Sequence, residues 1–321
     1  MAAIEFIPVA NKKNNKIVYE IKPGGHIKCF VRTSSLGVWQ VPPHQYRLYA
    51  TALTSEQVHE EEEKEVPPAF SFYSQKVNDS FFIFVRLPEG YKKDAPKRYS
   101  TIYVLDANLY FSYLNDTIGK LPPSQQPILI GIGYRSFVEM MSLRDRDYTY
   151  PAASLSDSFS VSGGGERFYD FIGRELIPLV DKQYRTDTSN RSLMGHSLGG
   201  FFILYALYKG VSVGPQLFKN YVAASPSVEY HNQYLARQFE KIGNDNFLPT
   251  SALQITLGDV EGMENEGGML YSDFINSFIT SLSDPKFKNI KVQKEVYPGA
   301  GHMETALPAL YQGLQKVIAY E

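Results

Sequence analysis

The alternation of apolar and polar positions changes character once along the chain. Over residues 1–68, short stretches at Ile4–Val9, Lys16–Ile21, His26–Thr33 and Tyr46–Leu53 read as β segments, separated by Pro-Gly-Gly, Ser-Ser and Pro-Pro punctuation. They lead into His59-Glu-Glu-Glu-Glu-Lys-Glu65 and Pro67-Pro68, which read as a solvated acidic linker. From residue 69 onward, Phe70–Gln75 and Phe81–Leu87 flank Asn78-Asp79-Ser80 and predict a hairpin. Short apolar runs then predict strands at Thr101–Leu105, Ile128–Ile132, Arg191–Met194, Tyr221–Ala224, Leu253–Leu257 and Ile290–Val296. Between them, Phe168, Phe171, Ile172, Leu176, Leu179 and Val180 recur at helical spacing, as do Leu307, Leu310, Leu314, Val317 and Ile318. Strands alternating with helices imply an α/β fold: a mostly parallel sheet with helices on both faces and ligands bound at the carboxyl ends of its strands. The expected division is a β-rich extension with its acidic linker over 1–68 and a catalytic unit over 69–321.

Composition narrows the function classes. Lys and Arg number 32 against 34 Asp and Glu, a net charge of −2 that removes the electrostatic case for a nucleic-acid partner. The single cysteine, Cys29, excludes an internal disulfide and a cysteine-built zinc site. No apolar run approaches the length of a membrane span, so no membrane partner is expected. The stretch Met1–Ala10 lacks the basic start and apolar core of a secretion signal. A reducing, cytoplasmic setting is the expectation. Aromatic residues reach 14%, and Tyr110, Phe111, Tyr134, Tyr148 and Tyr150 fall just after predicted strands, where a cleft should lie.

The sharpest chemical signal is Gly195-His196-Ser197-Leu198-Gly199, between the strand at Arg191–Met194 and a helix read as Leu198–Lys209, ending at Gly210. A serine on so tight a strand-to-helix turn needs glycines on its flanks, and the turn lifts its hydroxyl above the sheet edge. Ser197 is thus the candidate nucleophile. A hydroxyl needs a base to take its proton. Of six histidines, His302 stands out, in Tyr297-Pro-Gly-Ala-Gly-His302 between the last strand and the terminal helix. An acid is expected between them in chain order. The loop Gly258-Asp259-Val260-Glu261 after the strand at Leu253–Leu257 offers Asp259 and Glu261, position favours Glu261, and a dyad without a third member is the further alternative. For the oxyanion, the Leu198 N–H is one donor, and the loop after Tyr103-Val-Leu105 supplies the other, from Asn108 first and Ala107 second. The stretch Met140-Met-Ser-Leu-Arg144-Asp-Arg146-Asp147-Tyr148-Thr-Tyr150-Pro151 reads as a post-strand loop. Its arginines either pair internally as salt bridges or bind an anionic or aromatic substrate.

Over roughly residues 70–320 the chain resembles the putative-esterase family of α/β-hydrolases, and within it the siderophore trilactone esterases. The resemblance rests on Leu105-Asp-Ala-Asn108, Gly131-Ile-Gly-Tyr134, Arg144 with Asp147-Tyr148-Thr149, Gly163-Gly164, Gly195-His-Ser-Leu-Gly-Gly200, Ser225-Pro-Ser227 and Gly301-His302. It implies an α/β-hydrolase fold with Ser197 as nucleophile, His302 as base and Arg144 near the substrate, joined there by Asp147 and Tyr148. It also implies hydrolysis of a bulky polar ester, a siderophore lactone with or without its iron, and no cofactor. Two departures stand out: Ala107 replaces a common family glycine, and Tyr150 separates the Asp-Tyr-Thr piece from Pro151. The rival readings are a feruloyl or acetyl carbohydrate esterase with residues 1–68 as a sugar-binding appendage, and a non-catalytic binding protein on the same fold.

Overall fold

The computed structural model describes residues 5–11, 16–22, 66–153, 161–243, 250–261 and 270–319. The chain divides into two compact units, Met1–Glu65 and Val66–Glu321. In the first, β1 (Glu5–Asn11) and β2 (Lys16–Lys22) pair antiparallel, from Glu5 opposite Lys22 to Asn11 opposite Lys16. The expected segments at His26–Thr33 and Tyr46–Leu53, and the acidic run after them, lie outside the described residues.

The second unit is built on an eight-stranded sheet of order β10-β9-β8-β7-β5-β6-β4-β3. Strands β3 (Phe70–Ser74) and β4 (Asp79–Arg86) form the predicted hairpin, turning at Asn78 with φ 61°. β4 joins β6 (Ile128–Gly133) antiparallel. β5 (Tyr99–Val104), β7 (Thr186–His196), β8 (Asn220–Ala224), β9 (Ser251–Gly258) and β10 (Ile290–Tyr297) are parallel to their neighbours. Every residue of β6 and β8 is buried, as expected of parallel strands covered on both faces.

Side-chain alternation sorts the core into two layers. Tyr103, Ile130, Leu193, Tyr221 and Ala223 join one cluster, while Ile102, Val104, Leu129, Met194 and Val222 join the other. The smaller layer is closed by α1 (Ala107–Gly119) through Tyr110, Phe111 and Leu114, and by the terminal helix through Leu310, Leu314 and Val317. The larger layer takes α2 (Phe137–Tyr148), α3 (Gly165–Phe171), α4 (Ile177–Gln183), α5 (Leu198–Ser212), α6 (Tyr230–Glu240) and α7 (Tyr271–Ser281). The terminal helix is α8 (Ala306–Ala319).

Two expectations are corrected here. α5 does not stop at Gly210 but runs on to Ser212, because Val211 is buried in the core and packing outweighs the weak helix propensity of one glycine. Residues 137–148 form a helix, not a loop. Ser136 Oγ caps it by accepting the Glu139 N–H at 3.1 Å, and the Ser-x-x-Glu spacing of a capping box was present in the sequence.

Candidate active site

Three chain crossings at the carboxyl edge of the sheet build the site. β7 ends at His196, α5 begins at Leu198, and Ser197 makes the turn alone with φ 61° and ψ −124°. A side chain rarely adopts that conformation, which costs of order 1–3 kcal/mol and persists only where the surroundings enforce it. Here the Ser197 N–H donates to the Ala224 carbonyl at 2.9 Å, and its own carbonyl accepts from Phe201 at 2.9 Å and Ser227 at 3.2 Å. Gly195 is required by close approach, since a Cβ there would meet the Gly199 carbonyl carbon and oxygen at 2.9 Å.

The loop after β10 carries His302 toward the serine, with its Nε2 2.9 Å from Ser197 Oγ. The loop after β9 carries Glu261, whose Oε2 is 2.9 Å from His302 Nδ1. An ionised carboxylate only accepts, so Nδ1 carries the proton and Nε2 of the neutral ring is left to accept the serine O–H. Exposure grades along this line, with the Glu261 side chain 2% exposed and that of His302 39%. Buried Glu261 Oε1 is also satisfied, accepting Ser225 Oγ at 2.7 Å and the Gly258 N–H at 2.5 Å. Asp259, the alternative acid, turns away and accepts the Gly299 N–H at 2.6 Å.

A second layer of contacts holds these loops. Thr305 Oγ1 lies 2.8 Å from the His302 carbonyl oxygen and 2.6 Å from Ser225 Oγ, and since Ser225 spends its own proton on Glu261, the single Thr305 proton serves one or the other of these two contacts. His196 is buried, with Nε2 2.8 Å from the His302 carbonyl oxygen and Nδ1 3.2 Å from Tyr110 Oη. A carbonyl only accepts, so Nε2 carries the His196 proton and Nδ1 accepts from Tyr110. Burial is the main cause that pushes the His196 imidazole well below its ordinary pKa, helped by the nearby His302, which keeps the ring neutral. Ser225 and Thr305 were not selected from the sequence as parts of the site, and Tyr110 was expected only as an aromatic lining the cleft. For Ser225 the signal was the Ser225-Pro-Ser227 piece of the resemblance, and no sequence signal pointed to Thr305.

The remaining expected residues separate. Leu198 opens α5, and Ala107 and Asn108 open α1, so all three N–H groups fall in first helical turns, where no carbonyl four residues earlier takes them. β5 and β7 are parallel neighbours, which brings the positive ends of both helices to the same edge. The Asn108 side chain is spent on tying the start of α1 to the segment after β6: Oδ1 accepts the Tyr134 N–H at 2.8 Å and Nδ2 donates to the Tyr134 carbonyl at 2.9 Å. Asp147 and Tyr148, expected beside the substrate, are both 0% exposed and present no side chain to a bound ester. Asp147 is paired with Arg146 at 2.8 Å, and Tyr148 Oη accepts the Asp106 N–H at 3.2 Å. Tyr110, Phe111 and Tyr134 likewise belong to the core instead of lining a cleft. Arg144 reaches this edge but is forked onto Asp106.

Comparison with known proteins identifies the family and the fold. The putative-esterase family model matches residues 74–289. The chain is 27% identical over 253 residues to the ferri-bacillibactin esterase BesA of Bacillus subtilis (strain 168), covering 74% of this chain and 84% of that protein. A crystal structure of the BES protein from Bacillus cereus superposes with a TM-score of 0.65 at 24% identity, over 77% of this chain and 93% of that one. The siderophore hydrolase EstB from Aspergillus nidulans superposes with a TM-score of 0.62 at 20% identity, again over 77% and 93%. These relatives favour neither the carbohydrate-esterase nor the non-catalytic reading. With its α/β-hydrolase sheet and a family match across most of the larger unit, the chain belongs to the putative-esterase family and is a carboxylic ester hydrolase.

Proposed function

We propose that the protein is a serine esterase that opens siderophore esters, with or without their iron, through an acyl-enzyme. The observation that carries this reading is the unbroken line from Ser197 Oγ through His302 to Glu261, with both hydrogen bonds 2.9 Å. Ser197 Oγ attacks the ester carbonyl as its proton passes to His302 Nε2, and Glu261 stabilises the imidazolium that forms. The Leu198 and Asn108 N–H groups, with Ala107 beside them, hold the oxyanion. Collapse of the tetrahedral adduct expels the alcohol, which takes the proton from His302. Water, activated by the same imidazole, then releases the acid and restores the serine. Nothing in these steps calls for a cofactor. The siderophore substrate is supported by the names of the relatives, a ferri-bacillibactin esterase and a siderophore hydrolase. A reducing, cytoplasmic site of action accords with the single cysteine, and residues 1–68 are read as an extension outside the catalytic unit.

The test pairs active-site labelling with a substrate panel. A fluorophosphonate probe is expected to label Ser197 in the wild type and not in Ser197→Ala. Trilactone siderophores, free and iron-loaded, are expected to be opened, and feruloylated and acetylated sugars to be left intact. Absence of an adduct on Ser197 overturns the mechanism. Cleavage of the sugars with intact trilactones overturns the substrate.

A further inference from the structure

Arg144 lies in the C-terminal half of α2 with its side chain 12% exposed, against 1% for its partner Asp106. Its Nε donates to Asp106 Oδ1 at 3.1 Å and an Nη to Oδ2 at 2.9 Å, a two-pronged fork. The same Nη lies 3.3 Å from the His196 carbonyl oxygen. Asp106 and His196 occupy equivalent places in two different loops. Asp106, left-handed at φ 51°, comes immediately before Ala107 and Asn108. His196 comes immediately before Ser197 and Leu198. One guanidinium therefore grips the residue ahead of each group of N–H donors assigned to the oxyanion. The two loops also touch, since a Cβ on Gly199 would lie 3.3 Å from Asp106 Oδ2.

The charge on Arg144 is used up in the same contact. Burial acts to lower its pKa, the Asp106 carboxylate more than offsets this, and the net shift is upward. Its neighbour Arg146 is likewise committed, to Asp147 at 2.8 Å and Asp79 at 2.8 Å. Neither arginine is left as a free cation to draw an anionic substrate. A planar fork can hold two acceptors in one geometry, which a lysine, as a point charge, cannot.

We infer that Arg144 is a positioning residue: by clamping Asp106 and the His196 carbonyl together, it fixes the spacing between the two halves of the oxyanion hole, and it does not bind substrate charge. This inference rests on the acyl-transfer reading of Ser197. Its signature is a loss of kcat, without a loss of binding, that is the same for neutral and anionic esters.

The experiment measures kcat and KM for the full-length wild type, R144K, R144Q and R144Q/D106N on p-nitrophenyl butyrate and on its anionic counterpart, p-nitrophenyl hemisuccinate. Thermal unfolding is followed alongside, together with inhibition by a trifluoromethyl ketone, which forms a tetrahedral adduct. R144Q is expected to lose about 10²–10³-fold in kcat on both esters, the range for losing one oxyanion donor, with KM little changed. The inhibition constant should rise in proportion to the loss of kcat, and R144K should fall between wild type and R144Q. Because R144Q leaves Asp106 buried and unpaired, R144Q/D106N is the variant that separates positioning from folding. It should recover most of the lost Tm while keeping the kcat deficit. A loss confined to the anionic ester and carried by KM would overturn the inference in favour of substrate binding. Wild-type kcat in the folded double variant would overturn it as well. Failure of the acyl-transfer reading is distinct: it appears as unchanged turnover in Ser197→Ala, whatever the Arg144 variants do.

Discussion

Glu261 and His302 meet at 2.9 Å between Oε2 and Nδ1, and the other carboxylate oxygen of Glu261 is occupied by Ser225 Oγ and the Gly258 N–H. The acid is thereby bonded on both oxygens and has little freedom to turn away from the imidazole. Gly258 makes this possible, because a Cβ there would collide with the Ala300 carbonyl of the loop that carries the histidine. The acid and base loops can cross this closely only through a residue without a side chain.

Glu261→Gln keeps the shape but offers an amide where the imidazolium needs a carboxylate. It is expected to lower kcat by up to about 10⁴-fold, as for loss of the orienting acid in other serine hydrolases. Asp259→Asn, two residues away and bonded to the Gly299 N–H, should leave kcat within about two-fold. Steady-state kinetics on one chromogenic ester separates the two, and equal mild losses would point to a dyad.

Ser225 acts on the acid, and Thr305 on the base loop. Ser225→Ala removes one donor from a buried carboxylate, a bond to a charged group worth about 1.5–3 kcal/mol. If the whole of that loss is felt in the transition state, kcat falls about 10–150-fold with KM nearly unchanged. Thr305→Val should fall less, since it leaves both bonds to Glu261 Oε1 in place. A fall in KM affinity instead of kcat for Ser225→Ala would show that the hydroxyl touches substrate.

His196 gives a pH dependence of stability with a definite sign. Its folded pKa is depressed, chiefly by burial, below the value of about 6.5 expected when unfolded. Between those two values the unfolded chain binds the extra proton, so its contribution to stability is complete above about pH 6.5 and is lost as pH falls toward the folded value. Replacing it with Asn removes the titration. The Tm difference between wild type and His196→Asn should therefore shrink as pH is lowered from 7.5 to 5. A difference constant across that range would show that the ring does not resist protonation in the fold.

Arg146 neutralises Asp147, which is fully buried and whose carboxyl burial holds above the usual range. Arg146→Met strands that carboxylate and should cost about 3–5 kcal/mol in urea unfolding. Arg146→Met with Asp147→Leu should restore part of it, less the bond of about 1.5–3 kcal/mol to a charged group that Tyr134 Oη loses.

What could be read along the chain was whatever a local pattern carries. The run of apolar residues at Ile128–Ile132 announced a buried strand because a strand covered on both faces has no polar side to alternate. Gly195-His-Ser-Leu-Gly199 announced a turn because its steric demand is local and only small flanks meet it. Gly301-His302 followed from chain order in the same way. The stretch at Arg144–Tyr148 could not be read so. Taken by itself it reads as a post-strand loop, yet the Ser136 cap upstream and the burial of Met140, Asp147 and Tyr148 make it a helix.

Tertiary structure alone decided how partners were shared out. Asp259 and Glu261 are chemically alike and two residues apart, and only the path of the loop past Gly258 turns one toward His302 and the other toward Gly299. Arg144 carries the same charge whether it holds a substrate or Asp106, and the choice depends on a loop 38 residues away in sequence. The spacing of glycines and the period of apolar residues act over a few bonds, so the sequence displays them directly. Hydrogen bonds and ion pairs between distant loops are settled by where the sheet brings those loops, and burial then penalises any polar group left unpaired.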